Sequence, residues 1–339
     1  MGALSRCPRR CIPSCRMSSQ RHLVTGANGQ DGGYLVERLL EAGHEVHAMC
    51  HNRDGVDRLS VEHPVVVGHV ADLADSTAIG RLVADVEPTH IYNLAGNTSV
   101  ARSWEFPAET ADVLGLGPVR LFDAAWRQTS AGRPVRVVQA SSAEIFGDAV
   151  QVPQNESTPR RAVTPYGAAK SFAHDMAAIY RERGMHVSAA ILYNHESPRR
   201  PASFVARKIV MGAARISLGL QDELALGNID VFRDWGYAPD YVDAMIRIIE
   251  QPTGGDYVVA TGVAHSVREF VATAFGYVGI DDWEKFVRID PAFYRPADPQ
   301  QLVGDPARLR QIGWTPSVGF EALVHIMVDA EMAALRAKH

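Results

Sequence analysis

His22-Leu-Val-Thr25-Gly26-Ala-Asn28-Gly29-Gln30-Asp31-Gly32-Gly-Tyr34-Leu35 begins as a short apolar run, turns through glycines spaced by three, and continues into a helical pattern of apolar residues. Strand, glycine turn and helix in that order are the setting that gives such a motif meaning. The chain must turn sharply, the backbone must come close to a pyrophosphate, and the helix must pack on the strand, and each demand asks for a missing side chain. The N–H groups left over at the helix N-terminus then face the phosphates. Gly26, Asn28, Gly29, Gln30, Asp31 and Gly32 are therefore read as a dinucleotide-binding loop.

Outward from this loop, apolar runs recur at 45–50, 65–67, 90–94, 135–139 and 186–193, separated by helical stretches at 76–85, 117–127 and 165–183. Strands alternating with helices predict a parallel sheet covered on both faces, an α/β Rossmann-like doubly wound fold. After Asn194 the alternation loosens, with short segments at 231–235 and 256–260 among helices at 240–249, 267–277 and 319–335. The expected organisation is a disordered extension at 1–20, a dinucleotide-binding Rossmann domain with the catalytic residues at 21–193, and a smaller α/β lobe at 194–339. That lobe mainly binds substrate, with some return of chain to the Rossmann domain.

The chain has 339 residues, 46% hydrophobic and 22% charged, with a formal net charge of −5. Without an excess of positive charge it has no footprint for a nucleic acid, so any phosphate must be held locally. No apolar run reaches the ~18–20 residues that span a bilayer, and a cytoplasmic protein is expected. Cys7, Cys11 and Cys15 lie in the arginine-bearing extension, without the second ligand pair of a zinc site, so no metal is expected.

After the second apolar run stands Cys50-His51-Asn52-Arg53, with no acid before Asp54. An NAD site usually carries a carboxylate there for the ribose 2′-hydroxyl; an arginine instead favours a 2′-phosphate, hence NADP over NAD. Tyr166-Gly-Ala-Ala-Lys170 puts phenol and ammonium on one helical face. The lysine charge is expected to bring Tyr166 well below the ordinary value of about 10, making it a base, while Lys170 donates to the nicotinamide ribose. Gln139-Ala-Ser-Ser142-Ala-Glu144 ends the fifth strand, where the Ser142 hydroxyl can bind the oxygen that Tyr166 deprotonates. Glu144 adds something that alcohol oxidation does not need. A carboxylate beside a newly made ketone can take the acidified proton of the next carbon and promote loss of water.

Several strings together, Gly29-Gln-Asp-Gly32, Gln139-Ala-Ser-Ser-Ala-Glu-Ile-Phe-Gly147, Thr164-Pro-Tyr-Gly-Ala-Ala-Lys170, Asn194-His-Glu-Ser-Pro-Arg-Arg200, Arg207-Lys-Ile209, Leu226-Gly-Asn-Ile-Asp230, Arg233-Asp-Trp-Gly236 and Arg295-Pro-Ala297, resemble the GDP-mannose 4,6-dehydratases. These belong to the extended short-chain dehydrogenase/reductases, and the resemblance runs from about His22 to the end. It implies conversion of GDP-mannose to GDP-4-keto-6-deoxymannose by C4 oxidation, elimination of water across C5 and C6, and hydride return to C6. It makes Glu144 the acid/base and Tyr166 the oxidation base, with Ser142 in place of a threonine. It gives Asp72 and Leu73 to the adenine, Leu94, Ala95 and Gly96 to the path beneath the cofactor, and His195 and Arg200 to cofactor contacts. Asn194, Lys208, Asn228, Arg233 and Arg295 would hold the nucleotide diphosphate, with Leu226, Gly227 and Asp298 in the same pocket. The implied partners are a GDP-sugar and further copies of the chain, as a homodimer or homotetramer.

The sequence departs from the family pattern at Asn97-Thr98 (usually Gln-Ser), at Asp298 (usually Glu), and in a shorter segment between Cys50 and Asp72. A ketoreductase or C4-epimerase on a similar substrate is the nearest alternative, and a silent NADP-sensing protein a more distant one.

Overall fold

Segments rich in β-branched and aromatic residues become strands, and the amphipathic stretches between them become helices. A computed structural model describes residues 20–294, 297 and 299–337. The extension expected at 1–20 lies outside the described residues except for Gln20.

In chain order the strands are β1 (Arg21–Thr25), β2 (Glu45–Cys50), β3 (Val67–Val70), β4 (His90–Asn93), β5 (Arg136–Ser142), β6 (His186–Leu192), β7 (Asn194–Glu196), β8 (Leu224–Leu226), β9 (Phe232–Tyr237), β10 (Asp256–Val259), β11 (Ala264–Ser266), β12 (Val287–Ile289) and β13 (Gln301–Leu302). The helices are α1 (Gln30–Glu41), α2 (Arg53–Glu62), α3 (Ser76–Val86), α4 (Val100–Glu105), α5 (Pro107–Ala111), α6 (Gly117–Ser130), α7 (Pro165–Glu182), α8 (Val205–Ser217), α9 (Ala238–Ile249), α10 (Val267–Tyr277), α11 (Ala307–Gln311) and α12 (Phe320–Arg336).

Seven strands form one sheet in the order β10-β6-β5-β4-β1-β2-β3, every neighbouring pair parallel. The order reverses between β1 and β4, and the crevice at such a switch point, outside the carboxyl ends of the strands, is where open α/β sheets bind ligands. A second sheet orders β11-β9-β13, with β7 also pairing β9, and β8 pairs β12.

Three of the sequence expectations change. The third strand is Val67–Val70 rather than 65–67, and Val65 stands 75% exposed, because the sheet ends at this edge and only Val66 turns inward. A helix not anticipated, α2, starts at Arg53, and the Asn52 side chain caps it by accepting from the Gly55 N–H at 2.9 Å. The segment near 256–260, grouped with the C-terminal lobe, instead supplies β10, the edge strand beside β6. The α9 helix packs on α1, β5 and β6. The return of chain to the main sheet is thus a helix and a strand, which cover apolar surface that six strands would leave open.

Hydrophobic burial divides into three main clusters. One joins α1, α2 and α9 to one face of the sheet, and a second joins α3, α6 and α7 to the other. The third lies among α8, α10, α12 and β9 and centres on Trp235, Phe270 and Phe275. Each fully buried Leu or Phe side chain contributes roughly 1.5–3 kcal/mol, which holds the smaller lobe as a solid wall over the carboxyl ends of β5 and β6.

Candidate active site

The glycine loop leaves β1 with Gly26 at φ +67°, a left-handed conformation that disfavours any side chain. A Cβ on Gly26 would sit 2.9 Å from the Ala95 backbone, and one on Gly32 would run into the Gly26 carbonyl oxygen. The loop after β1 therefore touches the loop after β4. The Thr25 hydroxyl fixes the contact by accepting from the Leu94 and Ala95 N–H groups at 3.0 and 3.1 Å. Gly29 caps α1 with extended backbone and no side chain over the helix end. This cradle fits a dinucleotide pyrophosphate: the missing side chains let strand, turn and helix close tightly, and the first-turn N–H groups of α1 are left without a side-chain cap.

Farther along the same crevice, Arg53 opens α2 in an exposed position, and Asn28 lies against Gly55 of that helix. Asp72 turns the chain after β3 by accepting from the Ala74 N–H at 2.9 Å, and His51 lies 3.5 Å from its carboxylate. The Leu73 side chain is buried in the second cluster, and Gly96 has φ +128° against Leu114.

Ser142 is the last residue of β5, and Glu144 sits in the short 3-10 turn that follows, both only 9% exposed. Across from them, Thr164 caps α7 by accepting from the Gly167 N–H at 2.9 Å, and Pro165 sets the first helical residue. A Cβ on Gly167 would lie 2.5 Å from the Glu144 carbonyl oxygen. That missing side chain lets the helix close on the turn, so Tyr166 meets Ser142 and Glu144.

The electrostatics correct one expectation. Burial is the largest influence on Tyr166 and pushes its phenol up to about 12, the Glu144 carboxylate adding to it, while a hydrogen bond with Ser142 and the nearby Arg200 pull the other way. Lys170 is itself brought down to about 8 by burial, partly offset by Asp31. Its ammonium donates to the Ala140 carbonyl at 2.9 Å and stands 5.8 Å from the Tyr166 ring centre. In the protein alone the lysine does not make the phenol acidic; desolvation outweighs it.

These residues line one wall of a cleft of about 580 Å³. Asn194, His195 and Arg200 line its end, and Lys208, Leu226, Gly227, Asn228 and Arg233 line the facing wall. Arg233 is buried and donates to the Phe232 and Pro299 carbonyls at 2.7 and 2.8 Å. Lys208 projects from α8 with its ammonium 3.8 Å from the Phe293 ring centre, and burial lowers its pKa despite Asp290. Asn228 holds its own turn by accepting from the Asp230 N–H at 3.0 Å.

Asp31 and Leu94 also reach this cleft, whereas the other glycine-loop residues, Arg53, Asp72, Leu73, Ala95 and Gly96 lie outside its lining. Arg295 and Asp298 fall outside the described residues. Two contributors were not singled out in the sequence. Glu196 pairs with Arg200 at 3.1 Å, a spacing of four that was legible, and Phe293 supports Lys208 from far along the chain, which was not.

Comparison with known proteins adds identity to this geometry. A family model described as GDP-mannose 4,6 dehydratase matches residues 23–327. GDP-mannose 4,6 dehydratase 2 of Arabidopsis thaliana is 43% identical over 323 residues, covering 91% of this chain and 86% of that protein. The Homo sapiens GDP-mannose 4,6 dehydratase is 38% identical over 369 residues, covering 98% of this chain and 99% of that one. Among solved structures, the UDP-glucose 4-epimerase of Thermus thermophilus in complex with NAD superposes with a TM-score of 0.80 at 28% identity, covering 93% of this chain and 99% of that one. The backbone is shared with epimerases, but sequence agreement at 38–43% along nearly the whole length is with the dehydratases. With a carboxylate, a hydroxyl and a phenol converging at the end of β5, the chain belongs to the GDP-mannose 4,6-dehydratase family.

Proposed function

We propose that this cleft carries out the 4,6-dehydration of GDP-mannose with NADP as resident cofactor, Tyr166 and Glu144 acting as separate bases for separate steps. The product of the family's reaction is GDP-4-keto-6-deoxymannose, with one water released. When bound, the nicotinamide would supply a hydride acceptor for C4 in its oxidised form, whose positive charge favours the Tyr166 phenolate, and a hydride donor for C6 in the reduced form that the first step produces.

Tyr166 takes the proton of the sugar 4-hydroxyl while the Ser142 hydroxyl bonds the same oxygen. Lys170, held on the Ala140 carbonyl, keeps a positive charge behind the phenol. Once C4 is a ketone, the C5 hydrogen is acidic. The Glu144 carboxylate removes it as a proton, the electron pair forms the C5–C6 double bond, and the C6 hydroxyl leaves as water on taking that proton back from Glu144; hydride return to C6 would then put the pair back on C5, which takes up a proton exchanged with solvent through Glu144. Asn194 from the end of the cleft and Lys208, Asn228 and Arg233 from the facing wall grip the sugar nucleotide, guanidinium and ammonium matching its diphosphate. Preference for NADP rests on Arg53 at the first turn of α2, with no acid between the end of β2 and Asp54.

The observation that carries this reading is the convergence of Ser142, Glu144 and Tyr166 on one cleft with Lys208 and Arg233 opposite. Turnover of GDP-mannose should give a product lighter by one water with no net gain of NADPH absorbance. NADPH accumulating in step with product would mean a simple dehydrogenase and overturn the reading.

A further inference from the structure

The first turn of α1, where the dinucleotide phosphates are expected, contains a carboxylate. Asp31 is the second residue of the helix, and an unpaired negative charge there would compete with an incoming diphosphate for the positive helix end. It is not unpaired. The Asp31 carboxylate lies 2.9 Å from His195 Nε2, while His195 Nδ1 lies 2.7 Å from the Tyr193 carbonyl oxygen. A carbonyl oxygen and an ionised carboxylate can only accept, so an imidazole held between them must donate from both nitrogens.

The surroundings are built to keep the ring there. Gln30 donates to the other Asp31 oxygen and to the His195 carbonyl, both at 3.2 Å, and accepts from the Ser197 hydroxyl at 2.8 Å. His195 stacks on Tyr241 of α9 with ring centres 4.6 Å apart. Tyr241 reaches it because Gly236, paired with His195 between β7 and β9, has no Cβ to block the ring. The other charged groups facing the pair are Arg200 and Glu196 of its own segment, Lys170 of α7, and Asp234 and Asp240 behind Tyr241.

We propose that Asp31 and His195 form a permanent carboxylate–imidazolium clasp, in which Asp31 is a positioning residue for His195 and His195 cancels the charge that would otherwise repel the dinucleotide diphosphate. The clasp also ties the segment bearing Asn194 and Arg200 to the dinucleotide helix, so the two halves of the cleft are set together. Burial opposes both charges, yet His195 and Arg200 hold the Asp31 carboxyl below the ordinary carboxylate range, and Asp31 holds His195 above the ordinary imidazole range.

The dinucleotide half of this proposal rests on the cofactor reading above; the imidazolium half does not. Nitrogen-15 NMR of histidine-labelled full-length chain, without dinucleotide, should show both His195 ring nitrogens protonated from pH 6 to 8, the signal being identified by its contact with the Tyr241 ring. A neutral ring across that range would overturn the clasp. For the second half, calorimetry with NADP should find His195→Gln weakened ~10-fold or more, and Asp31→Asn/His195→Gln restored to within ~3-fold of the unaltered chain, the signature of coupled charges. A double variant as weak as His195→Gln would overturn charge cancellation and make His195 a direct contact only. If the unaltered chain binds no dinucleotide, the cofactor reading falls, and the NMR result alone decides the clasp.

Discussion

The two ends of the main sheet bury the same side chain in opposite charge states. At the carboxyl end, His195 sits between two acceptors and is a cation. At the amino end, His22 of β1 and His90 of β4 face each other in register, stacked at 4.7 Å, with His44 4.5 Å from His22. There burial comes first, reinforced by the neighbouring His90 and His44, and it holds His22 down at about 3; burial with Arg136, His44 and His186 holds His90 at about 4. These rings are neutral packing. Desolvation acts on all of them; at His195 the Asp31 carboxylate outweighs it, whereas at His22 and His90 burial prevails, even with the Glu250 carboxylate 3.4 Å from His90. The carboxyl end keeps charges for chemistry and the amino end removes them for stability, so substitutions at the two ends should fail in different assays.

The largest separation is expected at Glu144. Glu144→Gln keeps the shape and removes the base, so turnover should fall by ~10²–10⁴-fold, the usual contribution of a general acid–base group. Melting temperature should stay close to that of the unaltered chain. In heavy water the ordinary product should carry deuterium at C5 and the variant should not exchange there; normal C5 labelling in Glu144→Gln would place the base elsewhere.

A smaller effect is expected at Arg53, on the exposed flank of the same end. Arg53→Ala should narrow the calorimetric preference for NADP over NAD by about 1.5–3 kcal/mol, one charge-assisted hydrogen bond, with stability unchanged. Preference for NAD in the unaltered chain would remove the basis for this assignment.

At neutral pH the smallest effect is expected on the other side of the comparison, where the change emerges only in acid. The folded pKa values of His22 and His90 lie below the unfolded value of about 6.5, so the folded state binds fewer protons than the unfolded one. Their contribution is therefore complete above pH 6.5 and is lost as pH falls toward 4 and then 3. His22→Phe should flatten the acid limb of stability against pH by up to about 1.4 kcal/mol per pH unit, with turnover at neutral pH intact. An unchanged acid slope would mean that His22 is not titrating with unfolding.

Much of this was legible in the chain itself because it depends on neighbours in sequence. A strand, three glycines and a helix specify a sharp turn into an uncapped helix end, since backbone freedom and free N–H groups are local properties. The pattern Tyr166-x-x-x-Lys170 specifies one helix face, and the family motifs specify the reaction. What tertiary structure decided depends on neighbours distant in sequence. The Val67–Val70 strand moved outward because the sheet ends there, and β10 joined the main sheet because β6 offered an unpaired edge beneath α9. Lys170 is near Tyr166 in sequence, yet the phenol is held at about 12, because desolvation is set by everything packed around it. The charge on His195 likewise follows from Asp31, 164 residues away. Sequence spacing names the groups that can ionise, but the solvent excluded and the charges opposed by the folded chain determine which of them do.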